Sequence, residues 1–289
     1  MIQVRQVSYR YDGGKAPALK NVTMEIREGE HVALIGPNGC GKTTLIKHFN
    51  ALLAPGEGSV EVDGMDTRDR KSRGEIRRRV GMVFQNPDNQ IVGVTVEEDV
   101  AFGPSNLGLP PAAIRERVDE ALALVGMESF AQRAPHTLSG GEKRLVSIAG
   151  ILAMDPRYIA LDEPAAYLDP SSRERVLAMI ERLHRRGIAI IHITHDMNDL
   201  AGADRLLVMD RGAILLDGTP RDVFGRVEAM KDLGLHVPQV TLLMRRLRES
   251  GLDLKTDILT VDEACREIAK RIGSNGNGAL SGSGPGGGA

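Results

Sequence analysis

Apolar and polar residues alternate loosely over residues 2–7 and 22–26, the period of half-buried strands. His31–Ile35 (HVALI) is short and almost continuously apolar, which suits a parallel strand covered on both faces. It leads straight into a glycine-rich run, GPNGCGKTT, and then into LIKHFNALLA (residues 45–54), a helical pattern. Residues 59–62 predict another strand, closed by Asp63 and Gly64, and residues 80–84 a compact apolar one. Asn86-Pro87, Gly103-Pro104 and Leu109-Pro110 mark residues 86–110 as loop-rich. Ile114, Val118, Ala121, Leu122 and Val125 then recur at helical spacing, and residues 141–154 also read as a helix. Residues 158–161 predict a buried strand. Asp169-Pro170 opens a helix with Val176, Leu177, Ile180 and Leu183 on one face, stopped by Gly187. Residues 188–193 predict a further buried strand, and residues 206–209 and 213–216 a hairpin about Asp210, Arg211 and Gly212.

Strands alternating with helices, with antiparallel strands added, mean an α/β protein with helices on the faces of a sheet. This pattern fills residues 1–220. Residues 221–272 predict a helical extension with two apolar stripes: Val240, Leu243, Met244 and Leu247, then Val261, Ala264, Cys265 and Ile268. Residues 273–289 are glycine-rich with no apolar period and read as a disordered tail. There is no internal repeat.

Composition narrows the function classes. The 289 residues are 42% hydrophobic and 26% charged, ordinary for a globular chain with a real core. Lys plus Arg number 37 and Asp plus Glu 39, a net charge of -2, so bulk positive charge offers no hold on nucleic acid. Aromatic residues are 3% with no Trp, which disfavours a base-stacking platform. Two cysteines, Cys40 and Cys265, are too few for a disulfide framework. No apolar run is long enough to span a bilayer, and the N-terminal residues lack the apolar core of a secretion signal. The basic cluster at 66–79 is interleaved with Asp66, Asp69 and Glu75, as a solvated surface is.

The chemistry begins in the glycine-rich run. Gly36, Pro37, Asn38, Gly39, Cys40, Gly41, Lys42, Thr43 and Thr44 fit the phosphate-binding pattern, in which glycines let consecutive N–H groups face phosphate oxygens. Lys42 would neutralise the terminal phosphates, and the Thr43 hydroxyl can ligate magnesium. An apolar strand ends at Asp162 and Glu163, one carboxylate for magnesium through water and one to polarise the attacking water. Gln85 and His195 also follow predicted strands: Gln85 can ligate magnesium, and His195 can bond the γ-phosphate and the water. Such residues are ordinarily surface residues when alone; the constellation gives them meaning. Leu138-Ser139-Gly140-Gly141-Glu142 precedes a helix and predicts a second anion site. A two-fold dimer would lay that segment over the partner's phosphate loop.

GPNGCGKTT, FQNPDNQ, LSGGE, IALDEP, YLDP and ITHD occur in an order that resembles the ATPases of ABC transporters over roughly residues 1–240. The resemblance implies a phosphate-loop core sheet, an antiparallel β subdomain, a helical signature subdomain at about 86–155, and two MgATP held between two chains. By position, Tyr11 (with Tyr9 in competition) would stack on adenine, and Ser139, Gly140 and Gly141 would touch the partner's γ-phosphate. Gln85 would be the Q-loop glutamine, Glu163 the catalytic base, Asp169 the D-loop aspartate and His195 the switch histidine. Glu142, Ala165 and Cys40 depart from the common Gln, Thr and Ser. Cys40, at a helix start, is expected to favour its thiolate and to be shielded from thiol reagents by ATP.

FQNPDNQIVGVTVEEDVAFGPSNLGLP, LSGGEKR and VPQVTLLMRRLRESGLDL further resemble the energy-coupling-factor branch, which imports vitamins and cobalt or nickel ions. That implies a second ATPase subunit, a transmembrane coupling subunit, a substrate-binding membrane subunit and a place on the cytoplasmic face of the membrane. The alternatives are another ABC importer class and a soluble nucleic-acid ATPase. Nucleic acid is not expected.

Overall fold

A computed structural model describes residues 1–276, with side chains through Arg271. Its strands are β1 (Ile2–Tyr9), β2 (Leu19–Ile26), β3 (His31–Ile35), β4 (Glu57–Val62), β5 (Met65–Asp66), β6 (Val80–Val83), β7 (Tyr158–Asp162), β8 (Ala189–Ile193), β9 (Arg205–Asp210) and β10 (Ala213–Gly218). They form a four-stranded antiparallel sheet, β2-β1-β4-β5, and a six-stranded sheet, β10-β9-β3-β8-β7-β6. The second sheet is parallel from β9 to β6, with β10 added antiparallel by the hairpin.

Every residue of β3, β7 and β8 is buried, which explains their unbroken apolar character. Successive side chains alternate between two apolar layers. Tyr158 and Ala160 join Val32, Leu34, Ile191, Leu45 and Phe49 on one side. Ile159 and Leu161 join Val83, Ile190, Leu145, Ile148, Val176 and Ile180 on the other. Burying each Leu or Ile stabilises the fold by about 1.5–3 kcal/mol, so this sandwich fixes the carboxyl edge of the sheet as a rigid frame.

The helices of this part are α1 (Lys42–Phe49), α2 (Arg73–Arg79), α3 (Val96–Asn106), α4 (Pro111–Val125), α5 (Gly140–Leu152) and α6 (Pro170–Arg185). Residues 1–220 form one compact unit, and a second begins at Arg221. The helices past the hairpin are α7 (Pro220–Phe224), α8 (Val227–Asp232), α9 (Gln239–Glu249) and α10 (Val261–Gly276). Val240, Met244, Leu254, Ile258 and Ala264 make a small core of the second unit. No helix of the described residues is long and apolar enough to cross a membrane.

Three expectations are corrected. Residues 86–110 are not simply loop: α3 lies within them, with Pro104 in its last turn. Thr95 and Glu98 form a reciprocal capping box that starts α3 despite the breakers downstream. The helix expected over 45–54 stops at Phe49, because Ala51 takes φ +55 and Asn50 turns its side-chain oxygen to the Leu52 N–H. Within the basic cluster the interleaved acids pair with the arginines, Arg68 on Asp66, Arg78 on Glu75, and Arg79 on Glu75 and also on Asp63. Helix α10 runs four residues into the expected tail; residues 277–289 lie outside the described residues.

Candidate active site

The loop from β3 to α1 is shaped by close approach. A Cβ on Gly36 would lie 2.1 Å from the Met209 carbonyl, and one on Gly41, at φ +110, would lie 2.4 Å from that of Ala18. Gly39 faces open space, and Asn38 beside it is exposed, so one side of the loop is free to meet a ligand. Gly41 begins α1 without a side-chain cap, which leaves the helix's first N–H groups available to an anion. Lys42 is buried, and its Nζ donates to the carbonyls of Gly36 at 2.7 Å and Pro37 at 3.0 Å, placing the ammonium inside the loop.

Thr43 Oγ1 donates to Asp162 Oδ2 at 2.8 Å. Burial raises the Asp162 carboxyl above the usual carboxylate range, and the nearby Glu163 charge adds to this against Thr43 and Lys42. These are hard oxygen donors, so the pair fits magnesium, which takes most of its remaining ligands from phosphate and water. Among the described residues no cluster of three or more His, Cys, Asp or Glu could hold a metal by itself.

Strand order explains how distant residues meet. β6, β7 and β8 are neighbours, and Gln85, Glu163 and His195 stand just past their carboxyl ends. Glu163 bridges the other two: Oε2 accepts from Gln85 Nε2 at 2.7 Å, and Oε1 lies 2.8 Å from His195 Nε2. Glu163 has φ +50, and its N–H donates to Ile193 O at 2.9 Å, which ties the turn to β8. A carboxylate held between an amide and an imidazole, next to a carboxylate suited to a metal, is equipped to orient a water and take its proton.

Tyr11 is 43% exposed, and its hydroxyl lies 3.1 Å from Thr44 Oγ1, beside the phosphate loop. Tyr9 is more enclosed, edge-on to the rings of both Tyr11 and His48. Only Tyr11 therefore offers a face beside the loop. Cys40 departs from the expectation of a reactive thiolate. It is 3% exposed, and burial raises its thiol above the ordinary value in spite of Lys42.

Ser139 caps α5: its Oγ accepts from the Glu142 N–H, and its own N–H donates to Glu142 Oε2 at 2.7 Å. The carboxylate of Glu142 thus occupies part of the anion site expected here, and its contacts with Ser139 hold it below the usual carboxylate range. Gly141 packs so tightly on α6 that a Cβ would come 2.5 Å from Ser172 Oγ. Asp169 caps α6 by accepting from the Ser172 N–H at 3.0 Å, and the Ser172 hydroxyl, followed by this N–H, lowers its carboxyl. Among the described residues no hydrogen bond or ion pair joins Ser139, Gly140 or Gly141 to the phosphate loop.

Two connectors escaped the motif reading. Arg144 on α5 is 2% exposed and donates to the carbonyls of Phe84 and Gln85. Arg173 on α6 pairs with Asp196 and Asp199, just past His195, at 2.5 Å each. Each is a buried or half-buried arginine whose partner lies far away in sequence, so only the packed fold reveals it.

A family described as "ABC transporter" matches residues 19–166. The cobalt import ATP-binding protein CbiO of Syntrophus aciditrophicus is 58% identical over 93% of this chain and 96% of its own length. The energy-coupling factor transporter ATP-binding protein EcfA1 of Caldanaerobacter subterraneus is 51% identical over 93% of this chain and 99% of its own. Among solved structures, cbiO1 from Clostridium perfringens, part of the CbiONQ transporter complex, superposes with a TM-score of 0.72 at 38% identity, covering 84% of this chain and 98% of that one. A dimeric ATP-binding cassette in a post-hydrolysis state with ADP and Pi superposes with a TM-score of 0.69 at 31% identity, over 76% and 98%.

Proposed function

The chain belongs to the ABC transporter family, as an ATPase of the energy-coupling-factor type, and from this we propose that two copies, or a copy and a related ATPase, close on two MgATP to drive import of cobalt ion. The metal cargo is suggested by the CbiO relative at 58% identity; a nickel ion or a vitamin is the alternative. The carrying observation is the Glu163 carboxylate bridging Gln85 and His195 within one residue of Asp162.

In this reading Lys42 and the amides of Gly36 to Thr44 hold the β- and γ-phosphates, and Tyr11 stacks on the adenine. Thr43, Asp162 and the Gln85 amide oxygen would hold magnesium, which would neutralise phosphate charge. Glu163 takes the proton of the attacking water as the bond from γ-phosphorus to the ADP oxygen breaks, and His195 keeps the carboxylate in place. Ser139, Gly140 and Gly141 serve the other chain's γ-phosphate, and Asp169 fixes the α6 end of the same surface. The proposed division is 1–220 for nucleotide, with 86–155 as signature subdomain, and 221–272 as an extension.

The surface over residues 85–100 is the proposed grip on a transmembrane coupling subunit, which would work with a substrate-binding subunit. Val92 and Val94 are 63% and 76% exposed, apolar area that a partner helix would cover. The chain would then lie peripherally on the cytoplasmic face. Glu163→Gln tests the core of this reading. It should bind ATP normally, lose at least about 100-fold in turnover and accumulate as an ATP-bound dimer by sedimentation. Near-normal turnover would remove Glu163 as the base.

A further inference from the structure

Three rings stand in series beside the phosphate loop: Tyr11, Tyr9 and His48. Tyr11 lies in the connection from β1 to β2, outside any strand or helix, and its ring is broadly exposed. A tyrosine so placed ordinarily turns among several rotamers. Here it is held from two directions. Tyr9, the last residue of β1, stands perpendicular to it, with ring centres 5.0 Å apart and planes at 88°. The same Tyr9 ring meets His48 of α1 at 4.9 Å and 78°. His48 is fully buried, and its Nδ1 donates to the Thr44 carbonyl at 2.7 Å, since that oxygen can only accept. Burial lowers the His48 imidazole below its ordinary value, so the ring is neutral at pH 7. Thr44 also shares a hydrogen bond between its hydroxyl and that of Tyr11, at 3.1 Å. The contacts therefore close on themselves, from Thr44 O through His48, Tyr9 and Tyr11 back to Thr44 Oγ1. Backbone bonds fix the connection around them: the Ala18 N–H donates to Tyr9 O at 2.8 Å, and the Gly14 N–H to Tyr11 O at 2.9 Å. Among the described residues no hydrogen bond reaches the Tyr9 hydroxyl, so Tyr9 takes part as a ring alone.

We propose that Tyr9 and His48 are positioning residues of the nucleotide site, which fix the plane of the Tyr11 ring for the adenine before nucleotide arrives. The inference rests on the reading of Tyr11 given above and deepens it. Perpendicular aromatic pairs are favoured by the ring quadrupoles, and two such pairs in series leave Tyr11 one orientation. A ring already held in place loses little freedom when a base stacks on it, so Tyr9 and His48 strengthen base binding without touching the base. Thr44 directly follows Lys42 and Thr43 in the chain. The same residue thus anchors the platform for the base and continues the loop for the phosphates, which sets the two at a fixed spacing.

The test compares MgADP with magnesium pyrophosphate, which keeps the phosphates and lacks the base, by calorimetric titration of the full-length protein. Tyr9→Leu and His48→Leu should each weaken MgADP about 5-fold and leave magnesium pyrophosphate within about twofold. Tyr9→Phe, which keeps the ring, should bind MgADP within about twofold of the original chain. Tyr11→Ala should weaken MgADP at least as much as Tyr9→Leu, and adding Tyr9→Leu to it should cost nothing further. Undiminished MgADP binding by Tyr9→Leu and His48→Leu overturns the inference while leaving the role of Tyr11 intact; either variant decides alone if the other does not fold. An equal loss of both ligands also overturns it, since the two residues would then only support the loop. Additive losses in the double variant overturn it too. Normal MgADP binding by Tyr11→Ala overturns the reading of Tyr11 as the adenine platform, and the inference with it.

Discussion

Asp162 is a side chain kept where stability alone would not put it. Burial raises its carboxyl, so the folded state holds that proton more tightly than the unfolded one. The sign follows: its contribution favours folding below the ordinary carboxylate value of 3.8 and is lost as pH rises through the raised value. Asp162→Asn keeps an acceptor for Thr43 and removes the charge. It should raise the melting temperature at pH 7 while reducing magnesium-dependent hydrolysis by at least about 100-fold, as calorimetry and phosphate release would check. Cys40 runs the other way from its motif. Its position before a helix suggests a thiolate, but the side chain is enclosed under Gly36, a detail invisible in the string GPNGCGKTT. Cys265 is exposed and provides an internal standard. Peptide mass spectrometry should find Cys265 alkylated well before Cys40, with or without ATP.

Elements were readable where one local rule decided them. β3 and β8 are continuously buried, and the loop after β3 is a contiguous motif, so both are legible from composition and spacing. Helix α3 was masked by Gly103 and Pro104, although the Thr95–Glu98 capping box stood in plain view. The meeting of Gln85, Glu163 and His195 was legible only as three separate strand ends. Their adjacency comes from the order β6-β7-β8, set by long-range packing that no local pattern encodes. The packing of β6 against α5 makes one such contact testable. A Cβ on Gly81 would fall 2.0 Å from Ile151 Cγ2, inside any permitted contact. Gly81→Ala should therefore destabilise the protein by about 1–3 kcal/mol in urea. Adding Ile151→Ala should return part of that loss, so the two changes will not be additive.

For the molecule as a whole, no hydrogen bond or ion pair among the described residues links the phosphate loop to Ser139, and in the proposed reading a second chain completes each nucleotide site. Association should therefore need both nucleotide and its metal. With excess EDTA, ATP should fail to assemble the Glu163→Gln dimer, and sedimentation should return the monomer. The second unit, from Arg221, has its own small core, and its apolar stripes were legible as helices without disclosing what they serve. Arg144 reaches further than its size suggests. Its guanidinium is buried, and among the described residues the Phe84 and Gln85 carbonyls are the acceptors for its protons. Stripping a buried cation of its acceptors costs several kcal/mol. Arg144 thus ties α5 to the turn that carries Gln85, the residue whose amide touches Glu163. In the proposed reading, a partner that shifts α5 would shift Gln85 with it, and through Gln85 the Glu163 carboxylate.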